Sequence, residues 1–207
     1  MKKLKFHLAV VSLVFFCACS SPEKAIVPLS TDPQFEDTYT IIWNGISNAY
    51  RYTDGNWKRD ETYDYVFNVT QKRYQQQWKS IKSLHRLHPE YDGKAGARSQ
   101  TMYFEINYAL AGSKLAVNLF SSLGKGKGFS DREFRKQTLD FEVEGMSSFA
   151  PYDHIRIDQT YKYEEGLLEE TVFLYKLKDG KEIPFMKNEE KAYFYVKGKL
   201  EHAPTIL

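Results

Sequence analysis

Apolar and polar positions alternate most regularly in the second half of the chain. Thr101 to Ala109 (TMYFEINYA) and Lys114 to Leu123 (KLAVNLFSSL) are compatible with strands, and Gly112-Ser113 between them suits a hairpin. Thr138 to Glu144, His154 to Tyr163, Leu167 to Leu177 and Lys191 to Leu200 continue the pattern, with turns expected at Glu165-Gly166 and Asp179-Gly180. This order of elements predicts an antiparallel meander. It contains no repeat and no strand-helix-strand alternation, which argues against a parallel nucleotide-binding sheet. Gly124 to Gly128 (GKGKG) reads as a flexible basic loop, and Ser130 with Glu133 forms a capping box that predicts a short helix over Ser130 to Lys136.

The first half carries longer periods. A helix is expected from Asp32, with Asp32 as N-cap, Pro33 in the first turn, and Phe35, Tyr39, Ile42, Ile46, Ala49 and Tyr50 on one stripe. A strand competes for the same residues, because Thr38, Thr40, Ile41 and Ile42 are β-branched and Gly45 weakens a helix. After a turn at Asp54-Gly55, the segment around Tyr63, Tyr65, Phe67 and Val69 fits both periods. From Gln71 to His88 a helix is predicted, with Tyr74, Trp78, Ile81, Leu84 and Leu87 on its apolar face and Pro89 as its stop. The expected fold is therefore a single α+β domain over residues 37–207. Its N-terminal helical segments would pack on a curved antiparallel sheet of about five to seven strands.

The extreme N-terminus changes the picture from fold to address. Lys2, Lys3 and Lys5 precede an apolar run of 13 residues, Phe6 to Ala18, which has the length of an export-signal core and is too short to span a bilayer as a helix. The segment Phe16-Cys17-Ala18-Cys19 resembles the lipobox of bacterial lipoprotein signal peptides, although Phe16 and Cys17 stand where an aliphatic and a small residue are commoner. The resemblance implies cleavage after residue 18 and lipidation of Cys19 with diacylglycerol and an acyl chain such as palmitate. Ser20 after that cysteine implies sorting to the outer membrane, facing the periplasm. Residues 19–36, with Pro22, Pro28 and Pro33, then read as a tether.

Composition narrows the chemistry. Once the three signal lysines are removed, 26 basic residues face 27 acidic ones, and a net charge of −1 gives no electrostatic reason to expect nucleic acid. Cys17 and Cys19 are the only cysteines, so the domain itself can hold neither an internal disulfide nor a thiolate zinc site. Fifteen tyrosines among 15% aromatic residues suit a sheet or groove where a ring packs and its hydroxyl meets water.

Candidate chemistry is sparse. Ser121 to Ser130 lacks the Gly-Lys-Ser/Thr of a phosphate-binding loop. His85 and His88 are spaced for a shared metal on a helix, but no third ligand is apparent, and neither a metal nor a cofactor is expected. The densest polar set is His154, Arg156 and Asp158, which on a strand share one face opposite Ile155 and Ile157 and form the candidate ligand-binding group. His154 and Asp158 would stand roughly 13 Å apart, too far for a base and its orienting carboxylate, and no nucleophile elbow is present. The leading expectation is a non-enzymatic outer-membrane lipoprotein that binds or scaffolds an envelope protein, lipid or glycan. A carrier of a hydrophobic ligand is the second class, and an envelope enzyme with an unrecognised site the third. An apolar cavity would favour the carrier, and a cleft of converging His, Arg and carboxylates the enzyme.

Overall fold

The computed structural model describes residues 40–74, 77–144 and 151–194. The signal, Cys19, the tether and Asp32 to Tyr39 of the expected first helix lie outside the described residues. Eleven strands form one sheet: β1 (Thr40–Thr53), β2 (Asn56–Arg59), β3 (Tyr65–Tyr74), β4 (Gln77–Arg86), β5 (Ser99–Ala111), β6 (Lys114–Ser121), β7 (Gly124–Ser130), β8 (Lys136–Val143), β9 (His154–Lys162), β10 (Leu167–Lys178) and β11 (Lys181–Phe194). Every pairing is antiparallel, and each strand from β3 to β11 pairs with the next in sequence. β1 pairs with β3 on one side and with β11 on the other, Trp43 facing Phe194 and Arg51 facing Met186, so ten strands close into a barrel. The short β2 hangs on the far end of β1.

The fold is thus nearly all β, and the α+β expectation fails. Among the described residues the only α-helix is the single turn Ala95–Arg98. Where a helix was expected through Ile42 to Tyr50, β1 runs, because Thr40, Ile41 and Ile42 suit a strand that pairs on both edges. The expected helix over Gln71 to His88 is instead the end of β3 and the whole of β4, buried at every second residue: Trp78, Ser80, Lys82 and Leu84 point inward. Trp78 is buried as the helix reading required, but Ile81 is 50% exposed on the outside. Leu87, expected on the same face, is exposed too.

The second half follows its alternation closely, with turns at Gly112, Gly166 and Gly180 in the left-handed region. Two details differ. Gly124 to Gly128 is strand β7, not a loop, and its glycines face the interior. A Cβ on Gly126 would stand 2.1 Å from Phe141 Cβ and 2.2 Å from the Asp140 carbonyl oxygen, so only glycine lets β7 and β8 approach this closely. The predicted helix over Ser130 to Lys136 is a tight turn, in which the Asp131 carboxylate accepts the backbone N–H groups of Arg135 (2.7 Å) and Lys136 (3.0 Å). That turn holds Phe134 at φ 57° and delivers its ring into the barrel, where it is 3% exposed.

The two ends of the barrel are therefore different. At the end carrying the β3–β4, β5–β6 and β7–β8 connections, Phe134 packs edge-on against Tyr108 (4.9 Å) and beside Trp78 (6.5 Å), while Tyr161 stacks on Tyr163 (5.5 Å) and meets Trp43 (5.9 Å). Tyr163 also donates to the Phe134 carbonyl at 2.6 Å, which locks the turn over the lumen. This end is plugged. Among the described residues the opposite end has no such plug: Tyr63, Met102, Phe104, Leu123, Tyr152 and Phe185 are only partly buried around it.

Candidate functional site

Below that open end lies a cavity of about 170 Å³. Its walls are inward residues of seven strands, β3 to β5 and β8 to β11, among them Phe67, Met102, Ile155, Leu174 and Met186. A cavity of about 150 Å³ lined by aliphatic and aromatic side chains stays dry and accepts a benzene-sized guest, which sets the scale.

One stripe of the wall is polar, and the sheet register explains it. Direct cross-strand partners share a face. Arg86 pairs with Tyr65, Tyr65 with Ser47, Ser47 with Glu190, Glu190 with Glu170, Glu170 with Gln159, Gln159 with Gln137, and Gln137 with Ser130. This single ladder row runs obliquely down the inner wall from Arg86 at the open end to Ser130 at the plugged end. Lys82, on β4, reaches across the lumen to its middle. Its ammonium donates to Glu170 Oε1 at 2.9 Å and to Glu190 Oε2 at 2.5 Å, and lies 4.6 Å from the centre of the Phe67 ring. Tyr65 donates to Glu190, Gln159 to Glu170, Gln137 to Gln159, and Tyr108 to Gln137 (2.8 Å). Every donor in this chain points toward one of the two carboxylates.

The cluster is buried: Glu190 is 2% exposed, Glu170 7% and Lys82 8%. Burial is the largest influence on Glu190 and, with the neighbouring Glu170 charge, outweighs Lys82 and raises its carboxyl to about 7. Burial would lower the Lys82 ammonium, but the facing Glu170 and Glu190 outweigh it and hold it above its ordinary value. Burial also pushes up the phenols of Tyr65 and Tyr161, so both keep their protons at neutral pH; Tyr65 donates to Glu190, and the Tyr161 oxygen accepts from Gln71 at 3.2 Å. Chemically, the site offers an apolar chamber with a carboxylate-rich polar stripe and one shared cation.

The sequence-predicted group lies elsewhere. His154, Arg156 and Asp158 stand together on β9, but Arg156 and Asp158 are on the outer surface, where Arg156 Nη2 meets Asp158 Oδ1 at 3.3 Å with both side chains well exposed. Asp158 also accepts from Thr138 at 2.8 Å. His154, 7% exposed, contacts Asp140 through Nε2, lies 2.8 Å from Glu182 through Nδ1, and stacks on Tyr175. Ile155 and Ile157 point the other way, into the cavity. His85 and His88 do not share a helix face: His85 Nδ1 is 2.9 Å from the Ser99 hydroxyl, and His88 Nδ1 accepts the Glu90 N–H. Among the described residues no group of three or more His, Cys, Asp or Glu side chains is placed to hold a metal.

Sequence reasoning passed over Lys82, Glu170 and Glu190. The signal was present as parity: Leu168, Glu170, Val172 and Leu174 are alternate residues of one strand, so Glu170 interrupts an apolar face, and Lys82 does the same between Trp78 and Leu84. Comparisons of the chain with protein-family models, with curated proteins and with solved structures find no match.

Proposed function

We propose that this protein is a carrier or binder of a small, mainly apolar molecule, held inside the barrel and admitted through the open end. The observation that supports it is the asymmetry of the lumen: one end sealed by Trp43, Phe134 and Tyr163, the other leading to a chamber of about 170 Å³ whose walls are mainly apolar apart from the polar stripe. A protein built only to scaffold through its outer surface gains nothing from such a chamber, since filling it would add stability.

The N-terminal features extend this reading to a place. A lipid on Cys19 and the tether that follows would hold the barrel beside the outer membrane, where apolar molecules are met. Labelling with a fatty acid is expected to mark the wild type and not Cys19→Ser, and equal labelling of both would remove the membrane anchor from the account.

The binding reading is tested by solvent extraction of protein purified from its native envelope, followed by mass spectrometry. A small apolar compound is expected in stoichiometric amount, and Val172→Trp, which fills the chamber, should abolish it. A folded Val172→Trp protein that retains the same compound would contradict the reading.

A further inference from the structure

The ladder row also indicates which end of the ligand it receives. Asn188, one inward position above Glu190 on β11, is 7% exposed and lines the cavity, yet its buried Oδ1 accepts no hydrogen bond. A buried acceptor without a donor carries a desolvation cost that a bound donor relieves. Immediately below it, the Glu190 and Glu170 carboxylates each accept two hydrogen bonds. A carboxylate has about four lone-pair sites, so both retain acceptor capacity. Lys82 is already divided between these two acids. The cluster therefore carries a charge of −1 with both acids ionised and none with one protonated. Its lumen-facing side presents acceptors to whatever stands above it.

Resting on the carrier reading, we propose that the ligand enters with a hydrogen-bond-donating end first, a hydroxyl or an ammonium on an apolar body, and that Asn188, Glu190 and Glu170 receive that end. A carboxylate-ended molecule of equal length is the disfavoured ligand. Arg86, half-buried at the mouth, is the feature that would reverse this orientation. Its guanidinium donates through Nη1 to the Ala97 carbonyl and lies 5.0 Å from the centre of the Tyr91 ring, which places it at the rim, but its buried Nε has no hydrogen-bond partner among the described residues and is the one donor there that an acceptor-ended ligand could use.

The test is titration of the full chain, followed by nuclear magnetic resonance, with four probes of one length: hexane, hexan-1-ol, hexan-1-amine and hexanoate. The alcohol and the amine are expected to bind about tenfold tighter than hexane, the effect of one good buried hydrogen bond, and hexanoate more weakly than hexane. Asn188→Leu should keep hexane binding and erase the advantage of the alcohol. Asn188→Asp, which preserves side-chain size, should raise the preference for amine over alcohol and serves if the leucine variant does not fold. Equal affinity for all four probes would overturn the donor-first inference and leave the carrier reading standing. Hexanoate binding tightest, with that preference lost in Arg86→Gln, would overturn it in favour of a head group held at the mouth. No binding of any probe would overturn both.

Discussion

The plugged and open ends of the barrel are made from the same kind of strand and the same kind of side chain, yet one is a core and the other a chamber. At the plugged end six aromatic rings from Trp43, Trp78, Tyr108, Phe134, Tyr161 and Tyr163 meet across the lumen, and hydrogen bonds tie several of them in place: Trp43 Nε1 donates to Gln71 at 3.0 Å, the Tyr108 hydroxyl to Gln137 at 2.8 Å and the Tyr163 hydroxyl to the Phe134 carbonyl at 2.6 Å. At the open end the rings of Tyr63, Phe104, Tyr152 and Phe185 line the wall, and among the described residues none crosses the lumen as Phe134 does. The difference lies in what the connections insert. A five-residue turn pushes Phe134 inward at one end, and among the described residues no connection at the other inserts a ring in the same way. Stability is therefore concentrated at one end and, under the proposed function, binding at the other.

The largest expected effect of breaking this contrast is at the plug. Trp43 is fully buried, and Trp43→Ala should cost about 3–5 kcal/mol in denaturant unfolding. Lys82→Met comes close behind: it strands two acids in the interior and should cost roughly 3 kcal/mol at pH 8, with much of the loss recovered in the Lys82→Met, Glu190→Gln double variant.

The pH dependence sharpens the same point. Glu190 is raised from 4.5 to about 7, so between those values the folded protein holds a proton that the unfolded chain has released. Stability from this group is then fully present below about pH 4.5 and is lost as pH rises through 7, a change on the order of 3 kcal/mol. Comparison of wild type with Glu190→Gln from pH 4.5 to 8 should show that slope in the first and a flatter profile in the second. A slope of opposite sign attributable to Glu190 would mean that Lys82 dominates it.

At the open end the effects should be small. Phe185→Ala should cost about 1 kcal/mol or less, because the ring is only partly buried and little cavity is created beneath it. Smallest of all is Arg156→Ala on the outer surface, where an exposed pair with Asp158 contributes roughly 0–1 kcal/mol, and ligand binding should be unchanged.

Much of the β-meander could be read from the chain, and the reasons for the failures are physical. From Thr101 onward, inward apolar and outward polar residues alternate as in β6, where Leu115, Val117 and Leu119 are buried, so the period is clean. In β4 the inward set includes Ser80 and Lys82 while Ile81 lies outside, which blurs the two-residue period and leaves Trp78, Ile81 and Leu84 looking like a helical stripe. The glycines of β7 resemble a loop until the closeness of β8 is known. Barrel closure itself has no local signal, since it joins Trp43 to Phe194. The interior cluster was hidden for the same reason: Lys82 meets partners 88 and 108 residues away, and a charged residue on a strand reads by default as a solvent face. His154, Arg156 and Asp158 were correctly placed on a strand with Ile155 and Ile157 opposite, but the chamber lies on the isoleucine side.

The most direct test of the chamber is to saturate the protein with benzene and record nuclear Overhauser contacts between the guest and side-chain protons. Contacts with Met102, Leu174 and Met186, inside the barrel, are the expected result. Contacts confined to exposed Ile81, Leu110 and Phe129 on the outer surface, or none at all, would contradict a ligand chamber within the barrel.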